Sequence, residues 1–209
     1  MSSGANIASI NRSKFYEHAR NNIFAGKLKV SQVRGMEADL DEWEKHDYKD
    51  GRWLAYMLAT EYHETCGAMQ PVSEIGRGKG RDYGKKLKMG GGPGKRLPYT
   101  QPNQYYFGRG KVQVTWYENY QLMGRLLGLD LLNNPTLALE MDVSVKIMFE
   151  GMLQASSSFG DFTGRSLEHY FNKNTEDWFN ARRIINGLDC AAKIAKNAKI
   201  FYAGLQIAA

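Results

Sequence analysis

The sequence predicts a mainly α-helical domain with one small β element and one long basic loop. Apolar residues recur at helical spacing along most of the chain, one short segment alternates with the period of a strand, and one stretch is rich in Gly, Lys and Arg. The chain has 209 residues, of which 43% are hydrophobic and 24% charged, an ordinary globular composition. We therefore expect one domain, or two closely packed lobes, over residues 1–209.

Helical periodicity accounts for most of the predicted elements. Asn134 followed by Pro135 predicts one helix start, because proline is tolerated at the first helical position. In the segment 31–46, apolar residues recur every three or four positions: Val33, Met36, Leu40 and Trp43. The predicted helices are 12–25, 31–46, 53–65, 135–148, 166–171, 175–185 and 189–205.

The predicted helix at 53–65 changes character along its length. Its first part, 53–59, is apolar on all sides, so we expect this helix to be buried. Its last turn carries Glu61, His63 and Glu64. A buried helix that ends in ionisable groups makes this end a candidate functional site.

Most of the excess positive charge lies in residues 77–104. This segment has eight Lys or Arg, seven Gly and a single acidic residue, Asp82, so we predict a long mobile loop. Its charge is eight positive minus one negative, or +7, against +6 for the whole chain, whose pI is near 9.2. Such a loop favours an anionic partner, and nucleic acid, a membrane surface or an acidic wall polymer would each satisfy it.

Residues 111–116 alternate between apolar and polar side chains. Val112 and Val114 share one face, so we predict a half-buried strand. The opposite face carries Lys111, Gln113 and Thr115. An amide and a hydroxyl on one face suit the binding of a sugar or a water, although an ordinary polar strand face is the simpler interpretation.

Two carboxylates are candidates for acid and base catalysis. Glu64 lies at the carboxyl end of a buried helix, where the helix dipole and burial both disfavour the ionised form, as a general acid requires. Glu74 follows ten residues later, and two carboxyls about 6.5–9.5 Å apart across a cleft are typical of inverting glycoside hydrolysis. Spacing alone favours two surface or salt-bridged glutamates instead, and Glu61 competes for the acid role.

The sequence carries no complete metal or cofactor motif. His63 and Glu64 open like a zinc-protease helix, but no second His lies four residues after His63. The glycine-rich run 90–95 lacks the Ser or Thr that a phosphate loop needs after its Lys, and no GxGxxG occurs. We therefore expect neither a metal nor a cofactor.

Cysteine content and apolar runs indicate the compartment. Cys66 and Cys190 form at most one bridge, which a chain of this length does not require, so we expect two reduced thiols. Residues 1–20 hold no apolar run long enough for a signal-peptide core, and no run approaches the roughly 18 residues of a transmembrane helix. We expect a soluble product made in the cytoplasm.

Three separated motifs point to a known family. They are 63–65, which reads HET; 106–115, which reads YFGRGKVQVT and is followed by Asn119 and Tyr120; and 184–187, which reads IING. Together they resemble glycoside hydrolase family 19, which contains plant and bacterial chitinases and many phage endolysins. The segment 69–74, MQPVSE, makes the likeness closest to the phage-type members. The resemblance covers nearly the whole chain.

The resemblance implies a lysozyme-like, mainly α-helical fold with two lobes and a small β element lining a cleft. It implies inversion at the anomeric carbon, with Glu64 as general acid and Glu74 as general base, and Asp82 is the next candidate base. Thr115 matches the residue that helps to hold the nucleophilic water. The motifs also supply the substrate-binding candidates: His63, Tyr106, Arg109, Gln113, Asn119 and Asn186.

The sequence departs from the family pattern in three places. An extra aromatic residue, Phe107, precedes the GRG motif. Plant members use an Arg near the carboxyl-terminal helix to tie the acid region together, and the nearest basic residue there is Lys199. Residues 156–161 resemble an insertion. None of these changes removes a catalytic group.

The leading hypothesis is a phage-type endolysin that hydrolyses β-1,4 bonds in peptidoglycan by an inverting acid/base mechanism. A basic loop would concentrate it on the anionic cell wall, whereas chitin is neutral. The alternatives are a chitinase acting on chitin oligomers and a non-catalytic glycan- or nucleic-acid-binding protein on the same fold. We expect a monomer without a separate wall-binding module, without nucleic-acid binding or membrane insertion, that reaches the periplasm after membrane permeabilisation.

Overall fold

The computed structural model describes residues 4–153 and 162–209, and the account below concerns that part of the chain. The helices are α1 (Arg12–Asn22), α2 (Val30–Lys45), α3 (Gly51–Glu64), α4 (Tyr117–Leu127), α5 (Met141–Met152), α6 (Leu167–Tyr170) and α7 (Ala191–Ala208). The strands are β1 (Val72–Ser73), β2 (Leu87–Met89), β3 (Arg96–Pro98) and β4 (Arg109–Gly110). Short 3-10 helices span Asp82–Gly84, Pro135–Leu139 and Asn180–Ile184. The predicted mainly α-helical class is confirmed.

Helix α3 is the centre of the core. It packs lengthwise against α7, which also contacts α1. Ten of its fourteen residues are buried, as the uniformly apolar sequence predicts. The helix begins where the Asp50 carboxylate accepts a hydrogen bond from the Arg52 N–H, and it ends at Glu64. Its rigid, buried body therefore fixes the position of the ionisable groups in its last turn.

The β structure consists of two separate antiparallel pairs. In the first, β1 pairs with β4, with Val72 opposite Gly110 and Ser73 opposite Arg109. In the second, β2 and β3 form a hairpin, with Lys88 opposite Leu97. The first pair connects the segment after α3 to the segment before α4.

The prediction of a loop throughout 77–104 is wrong, because this segment contains the β2–β3 hairpin. Its cations pack on aromatic rings rather than all extending into solvent. The Arg96 guanidinium lies 3.2 Å from the centre of the Trp116 ring and pairs with Glu118 at 2.7 Å, and the Lys88 ammonium lies 5.4 Å from the ring of Tyr117. These contacts hold the hairpin against the start of α4.

The prediction of a strand at 111–116 is also wrong. Strand β4 ends at Gly110, and the chain then turns back so that Arg109 and Val114 exchange both backbone hydrogen bonds, at 3.2 and 2.9 Å. Gln113 adopts the left-handed conformation, with φ at 53°. The alternation of apolar and polar residues does not mark a half-buried strand here. The side chain of Lys111 is directed inward to buried carboxylates and is fully removed from solvent.

The helices agree with the periodicity where they are long and differ where they are short. Helix α4 was not predicted, although it ends at Gly128 in the left-handed conformation that commonly terminates helices. The predicted helix at 135–148 is interrupted at Glu140, whose ψ of 138° is extended, so α5 begins only afterwards. Of the predicted helix at 175–185, only the 3-10 helix Asn180–Ile184 forms.

Two further expectations are the insertion at 156–161 and the absence of a transmembrane helix. The proposed insertion at 156–161 lies outside the described residues. Among the helices that the structure does describe, none is long and apolar enough to cross a membrane.

Candidate active site

A cavity of about 410 Å³ gathers side chains from five separate segments of the chain. Glu64 comes from the end of α3, and Tyr83 comes from the 3-10 helix before β2. The cavity is lined by Glu64, Tyr83, Val112, Gln113, Thr115, Trp116, Asn119, Phe162, Thr163, Ile185 and Asn186. Five of the nine predicted site residues therefore meet here: Glu64, Gln113, Thr115, Asn119 and Asn186.

Glu64 is held by an arginine that the sequence did not reveal. Arg182 Nη1 donates to Glu64 Oε1 at 2.6 Å, and the exposed fractions of the two side chains are 2% and 16%. Arg182 Nε donates to the backbone oxygen of Asp189 at 3.0 Å, which fixes the guanidinium. Lys199, the nearest basic residue that the sequence offers around the carboxyl-terminal helix, is exposed on α7. The ion pair joins residues 118 positions apart, so no local pattern could identify it.

His63 precedes the carboxylate on α3 and is half-buried. Burial lowers the pKa of His63 below its usual 6.5, despite the opposing influence of the adjacent Glu64 carboxylate. Its imidazole is therefore neutral at neutral pH. His63 is not among the side chains that line the cavity.

Glu74, the predicted general base, does not line the cavity but contacts a residue that does, Tyr83. The Tyr83 hydroxyl donates to Glu74 Oε1 at 2.7 Å, and the Gly108 N–H donates to Glu74 Oε2 at 3.1 Å. Burial, together with the Glu74 hydrogen bond, raises the pKa of Tyr83 to about 12, so the phenol keeps its proton. The two donors fix the orientation of the Glu74 carboxylate.

The turn after β4 presents Gln113 and Thr115 to the cavity. Gln113 Nε2 donates to the backbone oxygens of Val72 and Gly110, at 2.9 and 3.0 Å, so both amide hydrogens are used within the protein. The side-chain oxygen remains as the acceptor of this amide. Trp116 follows with φ at 73°, another left-handed residue that is not glycine. Two strained residues therefore flank Thr115.

Asn119 and Asn186 complete the polar lining. Asn119 lies in the first turn of α4, and Asn186 follows the 3-10 helix that carries Arg182. The Asn186 N–H donates to the backbone oxygen of Arg182 at 3.1 Å. Arg182 thus contacts both Glu64, through its side chain, and the backbone of Asn186.

Tyr106 and Arg109 are, like His63, predicted substrate contacts that are not brought to the cavity. Tyr106 is 1% exposed, and its hydroxyl donates to the backbone oxygen of Leu132 at 2.9 Å. Arg109 is 5% exposed, donates to the backbone oxygen of Tyr105 at 3.0 Å, and lies 3.6 Å from the ring centre of Phe107. Their burial makes them part of the wall that supports the turn, and the extra aromatic residue of this sequence is the surface on which Arg109 stacks.

The alternative acids have other partners. Glu61 is fully buried and pairs with Lys111 at 2.7 Å, so it does not line the cavity as a competing acid. Asp82 is exposed and pairs with Lys85 at 2.7 Å. The Lys85 hydrogen bond lowers the pKa of Asp82 below its usual range. Neither contact places these carboxylates on the cavity.

The sequence predicts two reduced thiols and no metal site. Cys66 and Cys190 are both free and exposed, as expected for two unpaired thiols. Across residues 4–153 and 162–209, no three His, Cys, Asp or Glu side chains are grouped so that they could hold a metal ion.

Solved structures share this fold. A bacterial family 19 chitinase superposes with a TM-score of 0.58 at 22% identity, over 95% of each chain. Chitinase C from Streptomyces griseus gives 0.56 at 20% identity, over 99% of this chain and 95% of that one. A class IV chitinase from Zea mays gives 0.51 at 19% identity, over 99% and 87%. At these identities the likeness shows the lysozyme-like, mainly α-helical fold alone.

Sequence comparisons extend the likeness to the family. Endochitinase 1 of Theobroma cacao is 51% identical over 108 residues, which is 47% of this chain and 32% of that protein. Endochitinase 2 of Gossypium hirsutum is 37% identical over 93 residues, 41% and 30% of the two chains. The matched region thus spans about a third of the length of these relatives. The model of the chitinase class I family matches residues 44–159, more than half of the chain, and the protein therefore belongs to glycoside hydrolase family 19.

Proposed function

We propose that the protein hydrolyses β-1,4 bonds of glycans built from N-acetylglucosamine, with inversion at the anomeric carbon. The observation that carries this proposal is the cavity that gathers Glu64 with six amide or hydroxyl side chains. The matched relatives are named endochitinases, which supports chitin oligosaccharides as substrate over the peptidoglycan that the sequence put first.

Glu64 is the general acid of this proposal. Arg182 occupies only Oε1, so protonation at Oε2 leaves the ion pair's geometry in place. The proton moves from Glu64 to the departing glycosidic oxygen, and the bond between that oxygen and the anomeric carbon breaks. A water attacks the same carbon from the opposite face and gives its proton to the base. The product is a reducing sugar of inverted configuration.

Glu74 is the general base of this proposal, with Thr115 holding the water. The Tyr83 and Gly108 donors orient the Glu74 carboxylate next to Tyr83, which lines the cavity. Asn119 and Asn186 suit the hydroxyl and acetamido groups of the sugars, because amides both donate and accept hydrogen bonds. Gln113 offers its side-chain oxygen as an acceptor, since both of its amide hydrogens are used within the protein.

Hydrolysis of chitohexaose by the wild type and by Glu64→Gln tests the proposal. Gln keeps the shape of the side chain but has no proton to donate, so we expect turnover to fall by about 10²–10⁴-fold. Glu17→Gln, on the exposed face of α1, is the matched control and should retain turnover. Proton NMR of the fresh product should show the α-anomer. Equal turnover by the wild type and Glu64→Gln would contradict the proposal.

Peptidoglycan is the second candidate substrate, and a charged surface near the cavity favours it. Residues 76–81 read GRGKGR and form successive turns in which the N–H groups of Arg77, Lys79 and Arg81 donate to backbone oxygens three residues earlier. These three cations are exposed, and they lie between Glu74 and Tyr83 in the chain. Peptide carboxylates make the bacterial cell wall anionic, whereas chitin carries no charge to attract them.

Mass spectrometry of the products from purified peptidoglycan and from chitohexaose distinguishes the two substrates. If the basic turns act on an anionic wall, the triple variant Arg77→Gln, Lys79→Gln and Arg81→Gln should lose peptidoglycan hydrolysis at low salt and keep chitohexaose hydrolysis. If products are released from chitohexaose and none from peptidoglycan, chitin is the substrate.

A further inference from the structure

Three ionisable side chains meet in the core beneath the cavity: Asp39, Glu61 and Lys111. All three are 0% exposed, and we call them the buried triad. Lys111 Nζ lies 2.9 Å from both carboxylate oxygens of Asp39, 2.7 Å from Glu61 Oε1 and 2.9 Å from the backbone oxygen of Gly35. Every hydrogen that the ammonium can donate is thereby engaged.

The buried triad connects three elements that converge below the active site. Asp39 belongs to α2, and Glu61 precedes the acid Glu64 by one turn of α3. Lys111 lies two residues before Gln113 and four before Thr115, in the turn that lines the cavity. The triad therefore joins the helix of the proposed acid to the turn of the proposed water-holding residue.

That turn requires external support. Gln113 and Trp116 have φ at 53° and 73°, in a region that costs free energy for any residue except glycine and persists only when the surroundings enforce it. The backbone N–H of Lys111 donates to Ser144 Oγ at 2.7 Å, which is one anchor. The Lys111 ammonium on the buried triad is the second anchor and reaches further into the core.

Stability alone does not account for a buried triad of this kind. Removing two carboxyls and an ammonium from water is expensive, and apolar residues of similar volume often serve stability as well or better. Burial and the Glu61 carboxylate raise the pKa of Asp39, and these outweigh the opposing Lys111 charge. Burial by itself lowers the pKa of Lys111, but the two carboxyls outweigh it and the net direction is upward.

We infer that the buried triad is a positioning device that sets the Gln113–Thr115 turn relative to Glu64. The inference rests on the proposed function for its activity readout, but it also predicts a structural effect that needs no activity. Lys111 is a positioning residue, because it lies below the cavity and does not line it.

Lys111→Met tests the inference, with Leu205→Ala in the buried face of α7 as a control that destabilises the core far along the chain from the turn. Both variants are assayed on chitohexaose at a temperature where each is folded. We expect kcat of Lys111→Met to fall at least about tenfold, since displacements near 1 Å cost up to about 10²-fold. Leu205→Ala should keep kcat within about twofold at that temperature, because its loss is one of stability.

Amide hydrogen exchange followed by mass spectrometry gives the second readout. The amides of Val114 and Trp116 donate to Arg109 and Tyr106, so the turn is protected in the wild type. Lys111→Met should speed exchange in 111–116 beyond the average change across the chain, and Leu205→Ala should not. Wild-type kcat and unchanged exchange in Lys111→Met would overturn the inference. An inactive wild type with faster local exchange in Lys111→Met would refute the proposed function alone.

Two conservative variants keep the test independent of folding. Asp39→Asn keeps the size of the side chain and the Lys111–Glu61 pair but replaces one acceptor of the ammonium by an NH2 donor, so kcat should fall by less than in Lys111→Met. If Lys111→Met does not fold, Lys111→Arg is measured instead. Arg keeps the charge but cannot reproduce the three ammonium contacts, so kcat should fall; wild-type kcat in Lys111→Arg would contradict the inference.

Discussion

Replacing Lys111 by Met should destabilise the protein strongly, although it adds an apolar side chain to the core. The substitution removes the ammonium that Asp39, Glu61 and the Gly35 carbonyl share, and leaves these acceptors fully buried. Breaking a buried ion pair by removing one partner costs about 3–5 kcal/mol, because the remaining charge stays uncompensated. That is a large fraction of the roughly 5–15 kcal/mol by which most domains are stable.

The loss is large enough to measure by thermal unfolding. For a chain of this length, 1 kcal/mol shifts the melting temperature by about 2–4 °C, so Lys111→Met should melt about 6–20 °C below the wild type. The triple variant Asp39→Asn, Glu61→Gln, Lys111→Met carries no charge at the buried triad and should recover part of the loss.

Lys85→Met is the matched control for this measurement. Lys85 pairs with Asp82 in an ion pair that is about two-thirds exposed at both partners, and such pairs add little to stability. The same substitution there should leave the melting temperature unchanged. A Lys111→Met variant that melts with the wild type would refute the view that the buried triad is a coupled ionic group.

Three further predictions follow from individual residues. Burial and Glu61 raise the pKa of Asp39, so its contribution to stability is complete below its usual pKa of 3.8 and is lost as pH rises toward the raised value. In urea unfolding, Asp39→Asn should therefore remove a slope of about 1.4 kcal/mol per pH unit from the free energy of unfolding. An unchanged slope would contradict this prediction. Gly35→Ala should lower the melting temperature, because an added Cβ would overlap the Met69 carbonyl oxygen. Such overpacking usually costs about 1–3 kcal/mol of stability. A wild-type melting curve would show that α2 and the segment around Met69 can separate freely. Arg182→Lys should reduce kcat on chitohexaose by about 10–10²-fold, because one ammonium cannot hold both Glu64 and the Asp189 carbonyl in the same geometry. Wild-type kcat in this variant would show that the two contacts of the guanidinium are not needed.

The long helices could be predicted from the sequence because their apolar residues follow helical spacing. Helices α2 and α3 begin and end within two residues of the predicted limits. Glu64 could be singled out for the same reason, since an abrupt change from apolar to ionisable residues marks the exposed end of a buried helix. The shared cavity of Glu64, Gln113, Thr115, Asn119 and Asn186 follows from the family motifs.

Tertiary contacts decide the parts that the sequence could not predict. The sequence of the turn after β4 predicts a strand if Lys111 is taken as a surface residue. In the structure, two carboxylates that are distant in the sequence, Asp39 and Glu61, pair with Lys111 in the core. The β2–β3 hairpin reads as a loop because its strands are short and basic, while aromatic rings elsewhere hold its cations. Arg182 pairs with Glu64 across 118 residues, and its neighbour Arg183 is exposed, so no local pattern marks Arg182 as the buried arginine.

Turnover of chitohexaose by wild type and Glu64→Gln, with Glu17→Gln alongside, tests the central claim most directly. The account predicts that the wild type and Glu17→Gln release reducing sugar of inverted configuration, and that Glu64→Gln is slower by about 10²–10⁴-fold while it still melts as a folded protein. Equal release by all three proteins would contradict the assignment of Glu64 as the general acid.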